Sequence, residues 1–270
     1  MRNIQGKVIL AGAGPGDPEL ISVKAARVLQ LADIVLTDRL VSAELLNEYV
    51  PPHAEIIYVG KQGRHKLSTP QKTINRLMVE HARAGKVVVR LKGGDVSIFS
   101  NILDELQALC EQGVPYEIIP GISAASGAAA YAGIPLTARN YARSVRFVTA
   151  HANDTLPANY WKDLARTEDT LVFYMSTENI EVVVNSLTLQ GISSDKFIAV
   201  VEQATTRAQN VYVSNIYTCL KEFEAISFTT PSLLIIGKVV ALHEQFAWIR
   251  NSYSHEQYFE PLDQYKKQVV

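Results

Sequence analysis

Short apolar runs, many of them β-branched, recur along this chain between stretches in which apolar positions return every three or four residues. The runs read as buried strands and the stretches as amphipathic helices. In the first half, strands are expected at 7–13, 33–38, 56–59, 87–89 and 116–119. Between the first two, Asp17 reads as a helix N-cap with Pro18 at the first helical position, and Leu20, Ile21, Ala25, Val28 and Leu29 follow at near-helical spacing. Further helices are expected at 43–49, at 71–84 with Gly85 as its stop, at about 98–111 ending at Gly113, and at 124–132, a run of small residues.

Both periodicities lapse over 133–143, so the boundary between an N-terminal domain (1–137) and a C-terminal domain (138–250) is placed there. Beyond it strands are expected at 145–149, 170–175, 197–202, 211–213 and 232–236, with helices near 158–165, 180–190 and 217–223. The tail, 251–270, is polar and aromatic and predicts no element. Strand and helix alternate strictly in the first half, which argues for a mostly parallel sheet with helices on its faces. The second half mixes the two, with some antiparallel pairing. The fold class is α/β in two domains.

The stretch KVVVRLKGGDVSIF (86–99) carries the first chemical signal. A buried strand ends in Gly93-Gly94-Asp95, and two glycines at a strand's carboxyl end let the backbone turn sharply and approach a ligand. In open α/β sheets that edge is where ligands bind. The plain alternative is a strand-to-helix turn with Asp95 as a cap. Residues 12–38 imitate a dinucleotide fold, with a glycine-rich turn, a helix and a strand ending in Asp38. The glycine spacing fails, however, because Asp17 stands where the third glycine belongs and would meet a pyrophosphate with like charge. Pro15 also removes a backbone donor. An NAD(P) oxidoreductase is therefore the weaker reading.

Composition narrows the classes. With 47% hydrophobic and 20% charged residues among 270, the chain is a globular protein of one large or two ordinary domains. A formal net charge of −1 gives no general pull toward nucleic acid or anionic membrane, so an anionic ligand needs local basic clusters. Cys110 and Cys219 stand far apart with no CxxC, which fits a reducing cytoplasm and no zinc site. His65 and His151 share no metal-ligand spacing. The apolar run at 8–13 is too short for a signal segment or a membrane span.

Eight segments together resemble one family. GAGPGDPEL (12–20), ADIVLTDRLVS (32–42), VGK (59–61), STPQ (68–71), VVRLKGGD (88–95), IPGISAASGAAAYAGIPLT (119–137), LVFYM (171–175) and VVEQATT (200–206) are similar to the tetrapyrrole methylases, in order and at family-like spacing over about 6–245. The likeness is strongest to the branch that acts on uroporphyrinogen III. It implies two α/β domains with S-adenosylmethionine in the cleft between them, a fold distinct from the Rossmann-type methyltransferases, and a homodimer. The activity implied is methylation of uroporphyrinogen III at C2 and C7. This yields precorrin-2, for siroheme and cobalamin, and S-adenosylhomocysteine, without a metal. Some relatives carry a fused dehydrogenase–ferrochelatase module, and since this chain has no room for one, precorrin-2 is expected to pass to separate enzymes.

The chemistry suits such a site. A sulfonium methyl is already activated, so the protein's task is to align carbon, methyl and sulfur. Charge is lost at sulfur during transfer, which a dry site favours. A base must then take a proton from the alkylated macrocycle. The resemblance implies Asp38 as that base and Lys61 as an acid; without it, a turn cap and a solvated cation would be the simpler readings. It implies Pro15, Gly93, Gly94, Asp95, Ile98, Ser123, Ala124, Met175 and Ala204 as cofactor contacts, with Asp95 meeting a polar part of the methionine moiety. The substrate bears eight carboxylates, for which Arg39, Arg139 and Arg143 are the chosen partners, with Lys61, Arg64 and Arg146 as further candidates.

This chain departs from the family pattern after Asp95. Relatives typically read GGDPFxFGRGGEE, whereas here Val96 replaces the proline, Asn101 the loop arginine, and Ile102 and Leu103 the glycines. Thr37 stands where many relatives have tyrosine, and Ala204 where many have glycine. The departure puts the identity of the tetrapyrrole in question. A methylase of a later precorrin or of diphthine and a non-catalytic tetrapyrrole binder are the rival readings. The near-continuous match at 119–137 weighs against the first, and intact Gly93–Asp95, Asp38 and Lys61 against the second.

Overall fold

Alternate residues of the first strand serve two different cores. In the computed structural model, which describes residues 6–60, 69–150, 156–254 and 256–259, β1 (Lys7–Gly12) sends Ile9 and Ala11 to one face and Val8 and Leu10 to the other. A strand buried on both sides reads as continuous apolar sequence, the signature of a parallel sheet covered by helices. Its partners are β2 (Ile34–Thr37), β3 (Glu55–Tyr58), β4 (Val87–Lys92) and β5 (Tyr116–Ile119), in the order β3-β2-β4-β1-β5 with every pairing parallel. Helices α1 (Val23–Leu29) and α2 (Ala43–Tyr49) pack Ala25, Leu29, Leu45 and Leu46 onto the Ile9 face. Helices α3 (Gln71–Arg83) and α4 (Ile102–Glu111) pack Ile74, Met78 and Leu109 onto the Val8 face.

The chain divides after Ala124: the described residues up to there, together with Phe259, form one compact unit and Ala125–Tyr258 the other. The division falls at the first residue of helix α5 (Ala124–Ala132), ahead of the aperiodic stretch at 133–143 where the sequence pattern places it. The second unit holds β6 (Val145–Thr149), β7 (Thr170–Tyr174), β8 (Phe197–Glu202), β9 (Asn210–Asn215) and β10 (Ser232–Gly237), ordered β6-β7-β10-β8-β9. Among the described residues only β6 and β7 pair in parallel; the remaining ladders are antiparallel, the mixture expected of this half. Helices α6 (Ala158–Arg166) and α7 (Ile180–Leu189) bury Trp161, Leu164, Val183 and Leu187 against Phe173, Val200 and Leu234. Trp161 stacks on Phe173 with ring centroids 6.1 Å apart. Short helices α8 (Cys219–Glu222) and α9 (His243–Phe246) complete the unit.

Two expected helices begin elsewhere. The one expected from Asp17 is a 3-10 turn, Pro18–Leu20, capped by Asp17, which accepts from the Glu19 amide at 2.9 Å. Ile21 and Ser22 are then extended, and the Ser22 hydroxyl oxygen accepts from the Ala25 amide to start α1 afresh. Helix α4 begins at Ile102, not near Ile98, because Phe99 (φ 50°) and Asn101 (φ 55°) are left-handed and cannot continue a right-handed helix. No helix among the described residues is long and apolar enough to cross a membrane.

Candidate active site

In a parallel sheet all strands end on one edge, so the segments that follow β1, β2, β4 and β5 share the carboxyl edge of the first unit. They carry Pro15, Asp38, Gly93–Asp95, and Ser123 with Ala124. Two of these loops are stitched together. The Gly14 amide donates to Gly94 O at 3.2 Å, the Gly94 amide to Gly14 O at 2.7 Å, and the Ala13 amide to Lys92 O at 2.8 Å. The approach is so close that a Cβ on Gly12 would lie 2.6 Å from Gly94 O and from the Gly121 nitrogen. Gly94 differs. Its φ is +69°, and among the described residues a Cβ there would meet only the Ala124 nitrogen, at 3.6 Å. Its bare backbone borders space that no other described residue fills at the start of α5, a cradle that a side chain would enter.

Asp95 holds the cradle's walls together. Its Oδ2 accepts from the Gly121 amide at 2.9 Å, while Oδ1 accepts from the Ser97 amide at 2.8 Å and from the Ser97 hydroxyl. Burial opposes its ionisation, but the Ser97 hydroxyl and the Ser97, Gly121 and Val96 amides outweigh that and hold its pKa below the ordinary value. Both oxygens thus already serve the β4 and β5 loops, and the residue acts here as their tie. Of the other first-unit contacts expected, Pro15, Ile98 and Ala124 are half-buried and Ser123 is buried.

Behind Asp38 lies a buried charge network that the sequence reading did not isolate. Arg90 Nη2 donates to Asp38 Oδ1 at 2.6 Å and Arg90 Nε to Glu105 Oε1 at 3.0 Å. Arg90 Nη1 donates to Leu36 O and Leu91 O. Lys92 Nζ donates to Glu105 Oε2 at 2.8 Å. Arg90, Lys92 and Glu105 are buried, and the Asp38 side chain alone is 25% exposed. Burial would lower the Arg90 pKa, but the Asp38 and Glu105 charges reverse that and raise it. Burial and the neighbouring Arg90 charge push Lys92 below its usual value. The signal present in sequence is a pair of cations, Arg90 and Lys92, on one face of a strand otherwise fully apolar. Lys61, Arg64, His65 and His151 lie outside the described residues.

In the second unit β7 and β8 each run antiparallel to β10, hence parallel to one another, and both end at the same edge. Met175 follows β7 there, and Ala204 follows β8. Met175 is 51% exposed with φ 55°, not the core residue that a strand methionine usually is. Ala204 sits between Gln203 (φ 43°) and Thr205 (φ 68°). Left-handed backbone at three non-glycine residues on one edge is the strain found at ligand-binding loops. The tail supports this loop. Gln203 donates to Glu256 O at 2.9 Å and accepts from the Tyr258 amide at 2.7 Å, while Asn251 pairs with both backbone groups of Val211 on β9.

The candidate carboxylate partners fare unequally. Arg139 and Arg143 are exposed. Arg39 is half-buried, and burial lowers its pKa. Arg146 is committed within the protein, to Asp169 at 2.6 Å, to Asp163 and to Thr167. Its role is to tie β6 to the segment before β7. The Ser144 hydroxyl and the Arg146 guanidinium hold Asp169 at a pKa of about 2, against an ordinary 3.8. Because the folded value is the lower, this stabilisation is complete above pH 4 or so and is lost as pH falls toward about 2. Asp169→Asn is expected to flatten the fall of melting temperature over that window, as read by circular dichroism. Among the described residues no group of three or more His, Cys, Asp or Glu side chains is placed to hold a metal ion.

Known proteins share this fold. The sequence profile of the family described as Tetrapyrrole (Corrin/Porphyrin) Methylases matches residues 7–219. The chain belongs to the tetrapyrrole methylases. It is 46% identical over 245 residues to the siroheme synthase of Acinetobacter baylyi, covering 91% of this chain and 53% of that protein. The chain thus spans about half the length of the curated relatives it matches. Among solved structures, uroporphyrin-III C-methyltransferase from Thermus thermophilus in complex with S-adenosylhomocysteine superposes with a TM-score of 0.72 at 33% identity, covering 87% of this chain and 93% of that one. A cobalt precorrin-4 methyltransferase superposes with a TM-score of 0.79 at 27% identity, covering 89% and 98%. The fold is therefore that of the tetrapyrrole methylases and not the Rossmann type.

Where this tetrapyrrole methylase departs from its family pattern, two of the new residues pack within the protein. Val96 is 1% exposed, so the position typical of proline has joined the core, and Ile102 packs with the α3–α4 face. Leu103 stays 65% exposed.

Proposed function

We propose that this chain transfers methyl groups from S-adenosylmethionine to C2 and C7 of uroporphyrinogen III, forming precorrin-2 and S-adenosylhomocysteine. The observation that carries the reading is the open cradle at Gly94, lying in the segment that matches the family's cofactor loop and on the same sheet edge as Asp38. Pro15, Gly93, Gly94, Ile98, Ser123, Ala124, Met175 and Ala204 would hold the cofactor, with Asp95 shaping the loop. The bound cofactor supplies an activated methyl and a neutral leaving group. The protein's own work is to fix the pyrrole carbon in line with that methyl. Asp38 takes the proton from the alkylated macrocycle, with Lys61 as the acid. Arg39, Arg139 and Arg143 pair with substrate carboxylates. A homodimer belongs to the same reading, and sedimentation at micromolar concentration tests it. Incubation with S-adenosylmethionine and uroporphyrinogen III, followed by mass spectrometry of the tetrapyrrole, tests the reaction. Gain of two methyl groups supports it. No gain, with methylation of a later precorrin instead, would mean that the altered segment 96–103 has changed the substrate.

Carboxylate binding by exposed cations makes a quantitative expectation. Arg139→Ala should raise KM about 2- to 5-fold with little change in kcat, since a solvent-exposed pair contributes about 0.5–1 kcal/mol and acts equally in ground and transition states. KM should also rise with salt, because exposed charges are screened. A KM indifferent to both would show that the carboxylates are held elsewhere.

A further inference from the structure

We propose that Arg90, held from behind by Glu105 and Lys92, is a positioning residue that aims the Asp38 carboxylate. The inference rests on the reading of Asp38 as the base. Two cations and two carboxylates form one chain, Asp38–Arg90–Glu105–Lys92, so charge is balanced within it. Arg90 comes from β4 at the centre of the first unit's sheet and Glu105 from α4, while Asp38 is the single member that reaches solvent. A buried ion network is poor value as a source of stability, since apolar side chains of similar volume commonly serve as well. What this one supplies is geometry. The three guanidinium nitrogens of Arg90 are all engaged, with Glu105 Oε1, with the carbonyls of Leu36 and Leu91, and with Asp38 Oδ1. Arg90 therefore grips both the end of β2 and the carboxylate that follows it. The planar fork leaves the carboxylate little freedom to rotate. Oδ1 is occupied, and Oδ2 has no hydrogen-bond partner among the described residues, so proton removal falls to Oδ2. Glu105 lies three residues beyond Ile102, in the helix that follows the altered segment, and α4 thus connects that segment to the orientation of Asp38.

A double-mutant cycle on kcat tests this. Arg90→Met should lower kcat about 10- to 100-fold, the cost of misplacing a catalytic group by roughly an ångström. KM and the Kd for S-adenosylhomocysteine should stay within about 3-fold. In an Asp38→Asn background the same change should cost less than about 3-fold, because the residue acts through Asp38. Glu105→Gln, of the same size, should behave likewise more mildly, and it supplies the cycle if Arg90→Met does not fold. Losses that multiply in the double variant, or cofactor affinity that falls as far as kcat, would overturn the positioning role. Asp38→Asn with unchanged kcat would instead remove the base itself, and the inference with it.

Discussion

Asp38→Asn is expected to slow turnover by about 10²–10⁴-fold, the range that a positioned general base contributes. The substitution keeps the side chain's size and leaves an oxygen to accept from Arg90 Nη2, which donates to Oδ1 at 2.6 Å. The first unit should therefore fold as before. Asn cannot take a proton, so what is lost is the step that restores the macrocycle after alkylation. S-adenosylhomocysteine should still bind, since Asp38 follows β2 and the cradle is built from the loops after β1, β4 and β5. Single-turnover kinetics read by mass spectrometry, with calorimetry for the cofactor product, separate these effects. Wild-type turnover across the pH range would show that another group or water removes the proton.

Gly94→Val is expected to abolish detectable cofactor binding in a protein that still folds. A branched residue at φ +69° is strained by about 1–2 kcal/mol or somewhat more, a cost that a domain of this size survives. Among the described residues its Cβ would make only ordinary contact, with the Ala124 nitrogen at 3.6 Å. The side chain would instead fill the cradle. Gly12→Ala makes the contrast. A methyl there would meet backbone atoms 2.6 Å away on two sides, and the loops after β1, β4 and β5 would have to part. That variant should lose several degrees of melting temperature before any ligand is added. Calorimetry showing wild-type affinity in a folded Gly94→Val protein would mean that the cofactor does not approach this backbone.

The two substitutions illustrate why equal residues in a motif carry unequal roles. Gly12, Gly94 and Gly121 all lie in segments that match the family, yet one pair keeps three loops in contact and the third leaves room. Sequence shows that a glycine is present. The distance from its absent side chain to the nearest atom shows which of the two purposes it serves.

What the sequence determined by itself follows from local physics. Apolar runs on the face-alternating strands and the return of apolar positions along the helices place all ten strands to within three residues at either end, and most of the longer helices, though not the short helix α9. The β-branched, doubly buried strands of the first half require a parallel sheet. The motif series singles out Asp38, Gly93–Asp95, Met175 and Ala204 as candidates. Local reasoning failed where a single backbone conformation mattered: the extended Ile21 and Ser22 split one helix, and the left-handed Phe99 and Asn101 delay another. It failed also where partners are distant along the chain. Asp38 meets Arg90 across 52 positions and Arg90 meets Glu105 across 15, so no window of sequence contains the network. Tertiary structure alone decided that Asp95 ties two loops through Gly121 and that Arg146 is spent on Asp163 and Asp169. It decided too that Gln203, and Val211 through Asn251, hold a tail with no periodicity of its own. The reason is common to all of them. A charged or polar side chain takes its role from the partner that satisfies it when buried, and the fold chooses that partner.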